Sequence, residues 1–280
     1  MRLPLFLLLT FIFVAPVSAD AANRIVSIGG ANTEILYALG MGDKIVGTDT
    51  TSTYPEEATK TEKVGYMRAL SAEGVLSLKP DMVILSDEAG PPPVLAQLKQ
   101  VGVKLVSVKA GRTIEDIRKN VIQIASEVNA DAAGVELVKR IDADLIALNT
   151  AIRAHAGVPR LMFILQHGGG APMVAGTKTA ADSIIKLAGA ENVVADYEGY
   201  KPLTPEAAVK MQPDYILVTN MGLDQAGGLD AFADIPGVNL TDAAKEKRII
   251  VMDSLYLLGF GPRTAEAALK LRQQFGAGQS

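Results

Sequence analysis

The chain has 280 residues, a formal net charge of −4, 49% hydrophobic and 21% charged residues, no cysteine, no tryptophan and two histidines. That length and apolar content suit one large domain or two ordinary ones with a real core, and argue against disorder. The counts exclude a disulfide scaffold, thiolate zinc or iron–sulfur sites, a cysteine nucleophile and a three-histidine metal site, and the acidic balance disfavours nucleic acid.

Residues 1–19, MRLPLFLLLTFIFVAPVSA, read as a secretory leader: Arg2, an apolar run, then Val17-Ser18-Ala19 as a small-residue cleavage site. The apolar run is about a dozen residues, short of the roughly 20 a spanning helix needs. The rival is an uncleaved anchor. A mature chain from about Asp20, with no cysteine for a lipid, is expected in the bacterial periplasm.

Short apolar strands are predicted at Arg24 to Ile28, Lys44 to Gly47, Asp81 to Ser86 and Lys104 to Val108. Helices are predicted at Glu34 to Leu39, capped by Asn32 or Thr33, and at Ser71 to Leu78, Val94 to Gln100 and Thr113 to Val128. The alternation predicts an α/β lobe with a mostly parallel sheet over 20–130. Asp131 to His155 then carries Val135, Val138, Ile141, Leu145, Leu148 and Ile152 at spacings of three and four, which predicts one long helix. At 1.5 Å per residue it would span roughly 37 Å, so it reads as a rigid strut over 131–156.

The α/β rhythm restarts over 157–280. Strands are predicted at Arg160 to Leu165, Asp214 to Thr219 and Arg248 to Met252, with helices at Thr179 to Ala188 and Thr264 to Phe275. Leu70 to Ile84 matches Leu203 to Leu217 without a gap, at a constant offset of 133 residues. Each copy runs hydroxyl cap, one residue, Glu73 or Glu206, apolar helix, Pro-Asp, strand. A weaker echo joins Leu39 to Val46 and Leu187 to Val194. Two similar α/β lobes joined by one helix follow, with a ligand expected between them at the carboxyl ends of the strands.

No G-x-S-x-G elbow, P-loop, H-E-x-x-H or G-x-G-x-x-G is present. Gly168-Gly169-Gly170 reads as a turn that admits a ligand rather than a phosphate loop. Three strand-end loops carry cleft chemistry: Gly65-Tyr66-Met67-Arg68, Gln166-His167, and Tyr256 to Arg263. Together they offer phenols, an imidazole, two guanidinium groups and large apolar side chains, a set suited to a flat apolar ligand with a metal and anionic edges. Each residue also has an ordinary reading: a packed loop tyrosine, a hydrogen-bonded core histidine, a surface arginine. His155 reads as a helix-end residue that favours the dipole.

The two-lobed plan and the paired glutamates resemble the helical-backbone class of periplasmic binding proteins, which serve ABC importers for haem, siderophores and cobalamin. Within it, V-G-Y-M-R-A-L-S-A-E-G-V-L-S-L-K-P-D at 64–81 and L-G-F-G-P-R-T at 258–264 resemble the haem-binding subgroup. The resemblance implies that Tyr66 ligates haem iron, that Arg68 stands beside it, and that Arg263 receives propionates. It implies that Glu73 and Glu206 dock on the permease. It assigns His167 to a second, stacked haem, as in a variant of the subgroup that holds one haem by tyrosine and one by histidine. Met67, Met173, Tyr200, Tyr256, Leu257 and Phe260 would supply apolar contact. Phenolate is a hard ligand for ferric iron, a free tyrosine needs help to ionise, and iron and a nearby cation supply it. The expected function is therefore haem capture from an outer-membrane receptor and delivery, by a monomer, to an ABC permease and its ATPase. The rivals are a ferric-siderophore or cobalamin carrier of the same class, and a periplasmic metal-dependent enzyme.

Overall fold

The computed structural model describes residues 22–154, 157–166 and 170–275; the leader at 1–19 and both histidines, His155 and His167, lie outside them. The first lobe contains β1 (Ile25–Ile28), α1 (Gly30–Ala38), β2 (Ile45–Thr48), α2 (Glu56–Thr59), β3 (Glu62–Lys63), α3 (Ala72–Ser77), β4 (Met82–Ser86), α4 (Pro92–Gln100), β5 (Lys104–Val108) and α5 (Ile114–Glu127). The long α6 (Asp131–Ala154) follows. The second lobe contains β6 (Arg160–Leu165), β7 (Met173–Ala175), α7 (Ala180–Leu187), β8 (Glu191–Asn192), β9 (Tyr200–Pro202), α8 (Pro205–Met211), β10 (Tyr215–Thr219), α9 (Asn220–Ala226), α10 (Leu229–Ala233), α11 (Asp242–Lys245), β11 (Ile249–Met252), α12 (Ser254–Leu258) and α13 (Thr264–Gln273).

The first sheet runs β3-β2-β1-β4-β5, and all its pairings are parallel. The second runs β11-β10-β6-β7-β9, with β8 also on β6. There β6 pairs in parallel with β8 and β10, as β1 does with β2 and β4. The second lobe departs by inserting β7, antiparallel to β6, before its first helix. Burial of these strands on both faces explains their near-continuous apolar sequence.

The internal repeat is visible atom by atom. Ser71 Oγ accepts from Gly74 N at 3.3 Å, and Thr204 Oγ1 accepts from Ala207 N at 3.2 Å. Lys79 and Gln212 both adopt left-handed backbone, at φ 48° and 36°, directly before a proline that disfavours helix at the preceding residue. Asp81 accepts the backbone N–H of Arg24, and Asp214 that of Arg160. The same two arginines reach the carbonyls at the ends of α3 and α8: Arg24 to Leu78, Arg160 to Met211 and Gln212. Each lobe thus locks helix, turn and central strand with one Arg and one Asp.

Helix α6 packs against α5 of one lobe and α13 of the other. Gly134 allows the first contact, because a Cβ there would stand 2.6 Å from the Ala125 Cβ. Buried Ile141 and Leu148 belong to an apolar cluster running from Ile25, Ile84 and Ile117 to Phe163, Ile184 and Leu271. Each such side chain contributes about 1.5–3 kcal/mol by leaving water. One continuous core therefore joins the lobes, while two further clusters lie beneath their outer helices.

Two sequence expectations change at α1. The helix starts three residues before the hydroxyl that was expected to cap it, after Gly29, with no side-chain cap. Thr33 instead bonds Ser27 and Ser52 in the interior. Glu34, expected at the helix start, lies within the helix and is buried, 5% exposed.

Candidate functional site

The site begins where β3 ends. Gly65, at φ +99°, turns the chain into a tight turn closed by Ala69 N donating to Tyr66 O at 2.8 Å. Gly90 N donates to Met67 O, and Leu70 N donates to Gly90 O, which bolts this turn to the loop after β4. Alternation then decides the faces. Met67 is 8% exposed and packs in the first lobe's outer cluster, whereas Tyr66, at 43%, presents its phenol.

Arg68 Nη1 donates to the Tyr66 phenol oxygen at 2.6 Å. Its Nη2 pairs with Glu88 Oε2, and Arg112 Nη2 donates to Glu88 Oε1 at 3.0 Å. The order Tyr66–Arg68–Glu88–Arg112 is thus one hydrogen-bonded chain across three strand-end loops. Burial works against the Arg68 charge, but the hydrogen bond to Tyr66 and the Tyr66 and Glu88 charges outweigh it and raise its pKa. Arg112 is held from behind: its backbone N donates to Asp116 Oδ2, and its Nη1 to Gly111 O.

Asp116 anchors that loop. It accepts from Lys109 Nζ and Thr113 Oγ1, both at 2.8 Å, while its own N donates to Thr113 Oγ1 in the cap of α5. The Lys109 hydrogen bond, opposed by burial and helped by Thr113 and the Arg112 N–H, brings its carboxyl down to about 2. A depressed carboxylate stabilises the fold above its unfolded pKa, near 3.8, and loses that contribution as pH falls toward 2. The melting difference between wild type and Asp116→Asn is expected to shrink between pH 4 and 2. A difference that stays constant over that interval contradicts the assignment.

The second lobe meets this loop directly. Tyr200, on β9, is raised in pKa by burial, an effect opposed by the Arg112 charge and a hydrogen bond with Thr179. A Cβ on Gly111 would lie 3.7 Å from the Phe260 Cβ. The chain of polar groups from Tyr66 to Arg112 therefore ends at the seam between the lobes.

Several residues expected in the cleft are elsewhere. Met67 faces the first lobe's core, and Phe260 and Leu257, 2% and 0% exposed, fill the core between the lobes. The reason is local: Asp253 caps a short helix, α12, where an open loop was expected, and its turn buries the apolar residues. Tyr256, on that helix, faces Glu266, Arg263 and Lys270, and burial beside Glu266 raises its pKa. Arg263, read as a receiver of ligand carboxylates, is bonded to Glu34 instead. Its Nε and Nη2 reach Oε1 and Oε2, each at 2.9 Å, and its backbone N reaches Oε1 at 3.2 Å. Its guanidinium also lies 3.4 Å from the Tyr54 ring centroid. Burial opposes the Arg263 charge, and Glu34 outweighs it and raises the pKa. A cavity of about 450 Å³ opens beside this pair, walled by α1, α6 and α13. Met173 and Tyr200 are partly buried, and His167 lies outside the described residues.

Glu73 and Glu206 both stand exposed in the first turns of α3 and α8, at repeat-equivalent positions. Glu34, Glu88 and Arg112 were missed by sequence reasoning. The last two lie in the loops that follow β4 and β5, two and four residues past the strand ends, where the signal is a charged residue in a strand-end loop. Among the described residues, no group of three or more His, Cys, Asp or Glu side chains is placed to hold a metal ion, and no helix is long and apolar enough to cross a membrane.

The fold has known counterparts. The fold superimposes on the periplasmic heme-binding protein RhuT of Roseiflexus sp. RS-1 with a TM-score of 0.88 and 38% identity, covering 92% of this chain and 100% of that one. It superimposes on the periplasmic heme-binding protein BhuT in complex with two hemes with a TM-score of 0.87 and 41% identity, covering 92% and 99%. In sequence it is 31% identical to an uncharacterized ABC transporter substrate-binding lipoprotein, YvrC, of Bacillus subtilis (strain 168), over 93% of this chain and 85% of that protein. It is 25% identical to the vitamin B12-binding protein of Vibrio parahaemolyticus serotype O3:K6 over 91% and 90%. A family profile described as periplasmic binding protein matches residues 25–256, and with the two-lobed α/β fold this shows that the chain belongs to the periplasmic binding protein family.

Proposed function

We propose that this chain is a periplasmic substrate-binding protein that carries haem, as cargo, to an ABC permease. The observation that supports this most is the exposed Tyr66 phenol, held on a turn locked to the core, with Arg68 Nη1 2.6 Å from its oxygen. A porphyrin supplies four ligands to its iron, so the protein needs to add only an axial one. Phenolate oxygen is a hard donor suited to ferric iron. Arg68 remains as a charge-assisted donor to the same oxygen, and Glu88 keeps Arg68 from swinging away. The protein binds and releases; it performs no bond chemistry, and the transporter's ATPase drives uptake. The core shared by the lobes favours small lobe movement over hinge closure.

Titration with hemin, followed by absorbance, tests this. A saturable Soret shift is expected; no shift overturns the reading. The molar ratio in the same titration bears on His167: a ratio of two, falling to one in His167→Ala, gives that residue a second haem. The cobalamin alternative draws support from the relatives named vitamin B12-binding proteins. Cyanocobalamin that displaces hemin, or binds when hemin does not, selects it.

Glu73 and Glu206 would meet cationic groups of the permease, one from each lobe, and a two-point charged contact fixes orientation. Glu73→Ala combined with Glu206→Ala is expected to leave hemin affinity unchanged and abolish uptake into vesicles carrying the transporter. Undiminished uptake contradicts the docking role.

A further inference from the structure

We infer that Arg112 is the residue that receives a carboxylate of the cargo, and that Glu88 occupies its place until the cargo arrives. This rests on the haem reading above.

The guanidinium expected to read an acidic ligand edge, Arg263, holds Glu34 through both Nε and Nη2. The cation for that edge must be sought elsewhere in the cleft. Arg112 qualifies on three independent grounds. It is accessible, with its side chain 39% exposed, and Glu88 beside it is 35% exposed. It is aimed without help from Glu88, because Asp116 fixes its backbone and Gly111 O fixes Nη1. It stands at the seam, next to Gly111, where a Cβ would lie 3.7 Å from the Phe260 Cβ of the second lobe.

Charge counting points the same way. Arg68 and Arg112 share the single carboxylate of Glu88, so the trio carries one positive charge in excess. One ligand carboxylate balances it. A half-exposed ion pair is weak, so exchanging Glu88 for another carboxylate on Arg112 costs little. Once a large apolar ligand covers the site, the new pair is desolvated and strengthened. Glu88 keeps Arg68 throughout, so Arg68 stays on the Tyr66 oxygen.

The test compares hemin with hemin dimethyl ester, which has the same ring and iron but no carboxylate, by Soret titration. Arg112→Ala is expected to weaken hemin roughly tenfold or more, the scale of one charge-assisted hydrogen bond, and to leave the ester within about twofold. Arg112→Lys, a point charge without the fork, is expected to fall between. Glu88→Gln loosens Arg68 as well as the placeholder, so its readout is the preference for hemin over the ester, which is expected to be at least that of wild type. The iron–phenolate absorbance should persist in Arg112→Ala, since Arg112 does not touch Tyr66. Circular dichroism checks the fold, and if the alanine variant does not fold, the lysine variant's loss of preference for hemin over the ester decides. An unchanged hemin affinity, or equal losses for hemin and ester, overturns the Arg112 assignment alone. Wild type that binds neither probe overturns the haem reading and this assignment with it.

Discussion

Replacing Arg263 with alanine is expected to lower the unfolding free energy by about 3–5 kcal/mol, the cost of leaving a buried charge unpaired. Glu34 is 5% exposed, and Arg263 supplies three of its hydrogen bonds. Removing the side chain leaves the carboxylate without its countercharge and strips the guanidinium from the Tyr54 and Tyr256 rings. Glu34→Ala is expected to cost a similar amount from the other side. Replacing both partners with apolar residues of similar volume should recover much of the loss, because no orphaned charge remains. Urea unfolding followed by circular dichroism measures all of these. A single-variant loss below about 1 kcal/mol would be the value of a surface pair and would contradict the assignment. The pair joins α1 of the first lobe to the start of α13 in the second, so its loss acts on the seam that carries the cleft.

Tyr66→Phe is expected to do the opposite: large for ligand, small for fold. The phenol is 43% exposed and its ring leaves the core untouched, so the melting temperature should move little. Hemin affinity should fall by at least the roughly 10–100-fold that follows loss of a residue merely supporting a metal ligand. The iron–phenolate absorbance should vanish. Arg68→Ala should retain that absorbance with weaker binding, since it removes a donor to the oxygen rather than the oxygen. A Tyr66→Phe protein with unaltered spectrum and affinity would place the iron ligand elsewhere.

Much of the fold is legible in linear order. Apolar runs bounded by Gly, Pro and Asp mark the strands, because burial on both faces of a parallel sheet leaves little room for polar residues. The offset between Leu70 to Ile84 and Leu203 to Leu217 announces the repeat, and the structure fills it with matching caps, turns and Arg–Asp locks. Tyr66 and Arg68 are also legible, because they stand in a loop expected at a strand end and the motif around them resembles the haem-binding subgroup; that Met67 between them turns inward is not. The second lobe's small elements β7, β8 and β9 are not, because strands of two or three residues carry too few side chains for a period.

Local chemistry therefore determined the elements and their repetition, and the resembling motif marked the Tyr66–Arg68 pair. Partners distant in the chain did not follow from it. Glu34 and Arg263 are 229 residues apart, and each looks like an ordinary helix-start charge until packing removes water from both. Glu88 and Arg112 look like surface loop residues until parallel strands bring the ends of β4 and β5 side by side. Phe260 looks like a ligand contact until α12 turns it into the core. A sequence shows which groups a chain owns; which of them face each other, and which lose their solvent, is decided only when the sheets and helices close.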